Sequence, residues 1–535
     1  MRLRSERAPQ LEARIAKDAY DVEAWQMLLS EAQSAGTQEQ VRDMFERFLE
    51  RFPSSGRHWA LYVEFELHVG RTDLAEAIFA RSLRDVLSVD LWRAYLTYVR
   101  QTNETAGEAG RSTVIKAYET ALQYIGVDKD AGGIWSDYVN FIKAGEASTT
   151  YEEQQRMDAL RRVYRRAIAI PLTNVEALWR EYDAFENGLS RVTAKKFLAE
   201  QSPIYMTARA AVRELKQMAE MLNRSSLPRP SQWTEKELNQ LSAWNRYLAW
   251  ERQDPLRIED AATRSARISF AYKQAVMTMR FYSEIWFAAA TFAAEEDRHD
   301  EAIALYKSGI EVLPTSCLLH FALAELYEER KRVPEARAVY ETFLETLNGQ
   351  ITGMEAEAKA EAEQVGAASA HSAGNRRSPN QVMARWKQRI DVAKRTCTLA
   401  WVMMMRFARR SEGIKTARQI FSRARKSPHI TYHLFVASAL MEYHCSKDAG
   451  VAGRVFELGL KSFGDAEYVR EYLAYLIRTN DDNNTRALFE RTIHTLPTEK
   501  ADPTWRLFLA YESDYGELTG AREAESRYLT AFPNG

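Results

Sequence analysis

The sequence predicts an all-α chain, a helical-repeat superhelical solenoid of about twelve helix pairs in two blocks, and three observations carry that prediction. Tryptophans recur at a basic spacing of about 34 residues. Each opens a stripe of apolar groups at helical offsets, and each stripe is followed by a turn and a second helical pattern with its own signature. Length agrees: 535 residues exceed the roughly 250–300 at which a single hydrophobic core stops growing. One pair of helices cannot bury both its faces, whereas stacked pairs share a continuous core.

The first helix of each unit is marked by Trp25, Trp59, Trp92, Trp135, Trp179, Trp244, Trp286, Trp401 and Trp505. Apolar groups follow three and six positions later, as in Trp59-x-x-Tyr62-x-x-Phe65-Glu66, Trp135-x-x-Tyr138-x-x-Phe141 and Trp179-x-x-Tyr182-x-x-Phe185-Glu186. That spacing puts three rings on one helix face, the face expected to form the core of the repeat. Degenerate copies start at His320, Phe435 and Val469, which completes twelve. Turns rich in Gly, Asp or Asn follow, at 70–73, 188, 413 and 481–484. The second helix then reads small, aliphatic, aromatic, Arg, as in Ala75-x-x-Ile78-Phe79-x-Arg81 and Ala417-Arg418-x-Ile420-Phe421-x-Arg423. The small residue lets the two helices approach, and the aromatic fills the gap between them. Pro53, Pro171, Pro314, Pro428, Pro497 and Pro533 stand just past second helices, where a residue without an amide hydrogen cannot continue the ladder. Glu66, Glu186, Glu251, Glu442 and Glu512 end the apolar stripes and are expected to lie half-buried. A carboxylate in that position needs a partner, so each is expected to pair with an Arg of a neighbouring helix.

Two stretches interrupt the period. Residues 223–233 carry Pro228 and Pro230, which forbid a continuous helix, and are expected to link a block of five repeats, 1–222, to one of seven, 234–535. Residues 348–380 combine an Ala/Glu run with Gly, Ser and Arg-Arg; this low-complexity insertion is expected to begin helical and to lose order afterwards, as an overhang or a partner-binding tail.

Net charge is −1, from 73 Lys and Arg against 74 Asp and Glu, so no bulk field draws the chain to nucleic acid or an anionic membrane. The three cysteines, Cys317, Cys397 and Cys445, stand far apart and offer neither a zinc pair nor a disulfide framework. With no apolar run of the ~18 residues a membrane span needs and no signal segment, the chain is expected to be soluble and intracellular. Phosphate loops, nucleophile elbows and paired metal-binding histidines are absent, so neither an enzyme nor a cofactor is expected. His429, His433, His444 and Cys445 cluster in sequence, but Pro428 and its turn speak against an aligned metal site. Arg161, Arg162, Arg165 and Arg166 form a candidate basic face, either for RNA phosphates or an acidic partner or, the reading we prefer, a solvated face with Arg stems packed over the core. Met404, Arg409, Arg410, Met441, Tyr443 and His444 are candidates for a dimer or partner surface, with core filling as the alternative for the methionines.

The aromatic triplet, its Phe-Glu or Tyr-Glu ending and the Arg two residues after the second-helix aromatic resemble the half-a-tetratricopeptide (HAT) repeat. The tetratricopeptide repeat itself has Leu-Gly after its Trp, and no unit here does. More specific are Arg406-Phe407-Ala408-Arg409-Arg410-Ser411-Glu412-Gly413, Ala439-Leu440-Met441-Glu442-Tyr443-His444-Cys445, Val455-Phe456-Glu457-Leu458-Gly459-Leu460-Lys461, Asp481-Asp482-Asn483-Asn484-Thr485-Arg486 and Asp254-Pro255-Leu256-Arg257. These runs resemble the Suppressor-of-forked family, the HAT scaffold of cleavage stimulation factor in messenger RNA polyadenylation, over nearly the whole chain. The resemblance implies a nuclear, non-catalytic scaffold that homodimerises through its carboxy-terminal HAT block. It also implies partners: the RNA-binding and WD-repeat subunits of cleavage stimulation factor, and cleavage and polyadenylation specificity factor, with RNA contacted mainly through them. A HAT splicing-factor scaffold and a direct RNA binder using the basic face are the alternatives.

Overall fold

The computed structural model describes residues 7–146, 149–369 and 379–533. Among them lie 25 α-helices and no strand. A leading helix, α1 (Arg7–Lys17), is followed by twelve antiparallel pairs. The first seven pairs are α2 (Val22–Ala35) with α3 (Gln38–Arg51), α4 (Gly56–Val69) with α5 (Thr72–Ser82), α6 (Val89–Thr102) with α7 (Gly107–Ile125), α8 (Gly132–Lys143) with α9 (Thr150–Ile168), α10 (Val175–Leu189) with α11 (Arg191–Ala219), α12 (Glu235–Arg252) with α13 (Ala261–Thr278), and α14 (Ser283–Glu295) with α15 (His299–Val312). The remaining five are α16 (Cys317–Glu329) with α17 (Val333–Ser369), α18 (Pro379–Ser411) with α19 (Ile414–Ala424), α20 (His433–Met441) with α21 (Ala449–Leu460), α22 (Ala466–Arg478) with α23 (Asp482–Ile493), and α24 (Thr498–Tyr515) with α25 (Leu518–Ala531). The helical-repeat fold and the number of pairs are those the period predicts.

Local sequence fixes the helix ends. Thr37 with Gln40 and Thr234 with Glu237 form capping boxes, and Asp21, Ser88, Asp448, Asp465 and Asp481 each accept a backbone N–H at a helix start. Gly70 closes α4 at φ +81°, a left-handed conformation that glycine takes without a Cβ penalty.

Of the residues expected to form the core, Trp25, Trp59, Tyr62, Trp92, Trp135, Tyr138, Tyr182, Trp244, Trp286, Trp401 and Trp505 are buried, while Phe65 and Trp179 are half-buried. The ring three positions after the marker stacks on the second-helix aromatic of the preceding unit. Phe45–Tyr62, Tyr118–Tyr138, Phe456–Tyr472 and Phe489–Phe508 meet at 4.8, 4.9, 4.6 and 3.8 Å between centroids, all near parallel. Trp25, Trp59 and Trp286 tie their indole N–H to a carbonyl of the loop before the helix, at 3.0, 2.8 and 2.8 Å. Each of these three tryptophans thus fixes the angle at which its own helix leaves that loop.

The chain divides into two compact units, residues 1–312 and 313–535. This boundary does not coincide with the segment 223–233 expected to separate two repeat blocks, which lies inside the first unit. There the buried Asp128 accepts hydrogen bonds from Arg224 of that segment and from Gln274 of α13. Ser54 donates to the Met277 carbonyl at 3.0 Å and Tyr20 packs edge-on against Phe281, so the end of α13 and the loop after it close over the tips of the first repeats. In the second unit, α17 and α18 run 37 and 33 residues and pair far beyond the length of a normal repeat. Ile351, Ala358, Val382 and Trp386 are buried between them, and Trp386 donates to Glu361 at 2.7 Å. The first part of the expected insertion is therefore the outgoing half of a helical hairpin with a real core; the expected loss of order at 370–378 lies outside the described residues.

Candidate functional site

The five stripe-ending acids are where polar chemistry enters the core. Glu66, Glu186, Glu251, Glu442 and Glu512 are 0, 0, 2, 2 and 4% exposed, so they lie deeper than the half-burial the sequence suggests. Each carboxylate is gripped by one guanidinium through both Nε and Nη2: Arg42 on Glu66, Arg161 on Glu186, Arg267 on Glu251, Arg418 on Glu442 and Arg486 on Glu512, at 2.7–3.3 Å. A bidentate, charge-assisted pair is the geometry that compensates a buried carboxylate. The hydrogen bonds from Arg418 hold Glu442 below the usual carboxylate range. Four of the five arginines sit on the preceding second helix, three residues before its aromatic. Arg267 instead belongs to the helix that follows Glu251.

A second set of pairs lies outside the first and was not anticipated from sequence. The residue after the second-helix aromatic is repeatedly Glu, and it accepts from the arginine of the next second helix. The pairs are Glu46–Arg81, Glu119–Arg166, Glu341–Arg423, Glu457–Arg491 and Glu490–Arg527, at 2.6–3.1 Å. Tyr62, Tyr138 and Tyr472 donate to the same acids at 3.1, 2.9 and 3.1 Å. Arg81, Arg166, Arg423 and Arg527 also cover their own unit's tryptophan, 5.0, 5.2, 5.1 and 5.5 Å from the ring centre. The signal was present as Phe45-Glu46, Tyr118-Glu119, Tyr340-Glu341, Phe456-Glu457 and Phe489-Glu490.

The basic helix face is largely committed to this framework. Arg161 holds Glu186, Arg165 donates to the Tyr182 hydroxyl at 3.3 Å and lies over Phe197, and Arg166 holds Glu119. Arg162 bonds its own helix at the Asp158 carbonyl. Of the candidate dimer or partner surface, Met404 and Met441 are only 0 and 8% exposed, because the stripes that carry them face the core; they are corrected to core residues. Arg410 donates to Glu328 at 2.7 Å, while Arg409 and Tyr443 are partly exposed and His444 is exposed. No group of three or more His, Cys, Asp and Glu that could hold a metal occurs among the described residues. The cavity beside Asp128, Arg224 and Trp244 measures about 20 Å³, room for about one water.

The inner pair is absent at several junctions: the two positions are Glu76 and Val99 between α5 and α6, Ile115 and Ile142 between α7 and α8, and the junction of α21 and α22 is another. Between α21 and α22 the arginine position is Gly453 and the acid position is Leu476, and an open groove of about 1030 Å³ lies over them.

The sequence profile of the Suppressor of forked protein (Suf) family matches residues 6–535. The mRNA 3′-end-processing protein rna14 of Schizosaccharomyces pombe is 38% identical over 536 residues, 99% of this chain and 72% of that protein. RNA14 of Cryptococcus neoformans is 40% identical over 521 residues, 90% of this chain and 49% of that protein. The protein suppressor of forked of Drosophila melanogaster is 35% identical over 529 residues, 96% and 68%. The chain therefore spans between about half and three quarters of the length of these relatives. The crystal structure of CSTF-77 shares the fold, with a TM-score of 0.61 over 90% of this chain and 89% of that one at 18% identity. With a family profile matched over residues 6–535 and relatives that align over 90% or more of its length, the chain belongs to the Suppressor of forked family.

Proposed function

We propose that this protein is a non-catalytic scaffold of the nuclear pre-mRNA 3′-end cleavage and polyadenylation machinery. It homodimerises through the repeat block 234–535 and gathers the RNA-binding and WD-repeat subunits of cleavage stimulation factor and contacts cleavage and polyadenylation specificity factor. Relatives named for mRNA 3′-end processing support the process. The observation that carries the scaffold reading is the commitment of the polar core to packing. The buried acids are tied to arginines, and every outward helix face remains free to vary without disturbing the period. A direct RNA-binding role through Arg161, Arg162, Arg165 and Arg166 is less well supported, since three of the four already serve carboxylates or ring packing. The test is sedimentation equilibrium of the whole chain, together with the subunits it retains from nuclear extract. A mass twice 61.5 kDa and recovery of polyadenylation subunits are expected. A monomer, or recovery of splicing subunits instead, would overturn the assembly or the process respectively.

A further inference from the structure

The groove over Gly453 is lined by α21, α22 and the start of α23. Its floor is Leu458, Tyr472, Tyr475 and Leu476, the last three buried. A Cβ added to Gly453 would meet nothing within 4 Å, so the notch left by the missing arginine is real space rather than tight packing. The two acids on its rim are already bound. Glu457 accepts from Arg491 and Tyr472, and Asp481 caps α23 through Asn484. The two cations are not. Arg454 and Lys461 line the groove, are exposed, and make no ion pair among the described residues. They stand two helical turns apart, about 10 Å along the axis of α21, with Lys461 capping its carboxy-terminal end.

We propose that this groove docks an acidic amphipathic helix of a protein partner. Its leucine-like side chains would enter the notch above Leu476, and its carboxylates would meet Arg454 and Lys461. The mode is helix-in-groove recognition, in which anchors on one helix face give affinity and rim charges set orientation. Single-stranded RNA fits less well, because base stacking needs free ring faces. The Tyr472 ring is instead stacked on Phe456 at 4.6 Å with an interplanar angle of 2°.

The experiment uses the full chain and a fluorescein-labelled peptide of about 16 residues, with leucine at helical spacing on one face and glutamate on the other. A lysine-for-glutamate version and a labelled oligouridine are run beside it. Saturable binding of the acidic peptide is expected, with neither control binding. Gly453→Gln, which fills the notch without changing charge, and the pair Arg454→Gln with Lys461→Gln, which removes charge without filling it, should each weaken binding by about tenfold or more. Gly453→Gln replaces a helical glycine on an open face, so its thermal midpoint should not fall and its sedimentation should match the parent chain. Equal affinity of the parent and both variants, equal binding of the lysine peptide, preferential binding of oligouridine, or no saturable binding would each overturn the proposal.

Discussion

Glu66 shows what a single residue does in this array. Its carboxylate is fully enclosed, and Arg42 of the preceding unit is its counter-ion. Replacing Arg42 with Gln should destabilise the chain by about 3 kcal/mol or more, since it strands a buried charge, and changing both residues to Leu should restore part of the loss. Denaturant unfolding of the two variants checks this; equal losses would mean that the pair is replaceable surface. Trp59→Ala should cost about 3–5 kcal/mol in the same assay, as a buried ring whose N–H is tied to the Pro53 carbonyl. Much of this was legible: the aromatic stripe gave the core face, and an acid ending an apolar stripe called for a partner. The identity of that partner was not, because Arg42 and Glu66 meet only across units, and sequence spacing alone did not choose between Arg42 and the other arginines nearby. Met404 was misplaced for a related reason, since a run of three methionines leaves the phase of the helix undetermined.

At the scale of an element, the pairs that hold each helix to its neighbours also make the second unit sensitive to acid. Hydrogen bonds from Arg410, Arg418 and Arg527 hold Glu328, Glu442 and Glu490 below the usual carboxylate range. A lowered folded-state value means that the stabilisation is complete above the unfolded carboxylate pKa and is lost as pH falls through the folded one. The thermal midpoint should therefore be flat near neutrality and decline below about pH 5. Arg418→Gln should lower the midpoint at neutral pH and shrink that decline; an unchanged profile would show that the pair contributes nothing. The hairpin of α17 and α18 marks the limit of composition-based reading. An Ala/Glu run looks like a solvated overhang, and only the apolar face of the facing helix α18, with Val382, Trp386 and Ile390, shows that the run has something to pack against. Trp386→Ala should raise amide exchange within the hairpin while leaving the first unit unchanged.

Across the whole molecule, the period of the tryptophans revealed the architecture, but the boundary between compact units did not follow from the prolines. Pro228 and Pro230 do interrupt the helices, yet Arg224 beside them fastens the segment to Asp128. Burial opposes the ionisation of Asp128, and the Arg224 charge nonetheless keeps it below the usual carboxylate range. A fragment ending at residue 222 would lose both Arg224 and Gln274 and leave that carboxylate without them. It should melt earlier and less cooperatively than a fragment ending at residue 312, as scanning calorimetry can measure.

The inner arginine–glutamate pairs also make some seams of the array interchangeable. Arg418 faces Glu442, and Arg486 faces Glu512, in the same geometry. Excising the cassette between two such seams would bring Arg418 opposite Glu512 with the grip intact, so whole modules could be lost or duplicated in descent without a frustrated joint. That cassette contains the seam of Gly453 and Leu476, so the groove itself belongs to a removable module of the array.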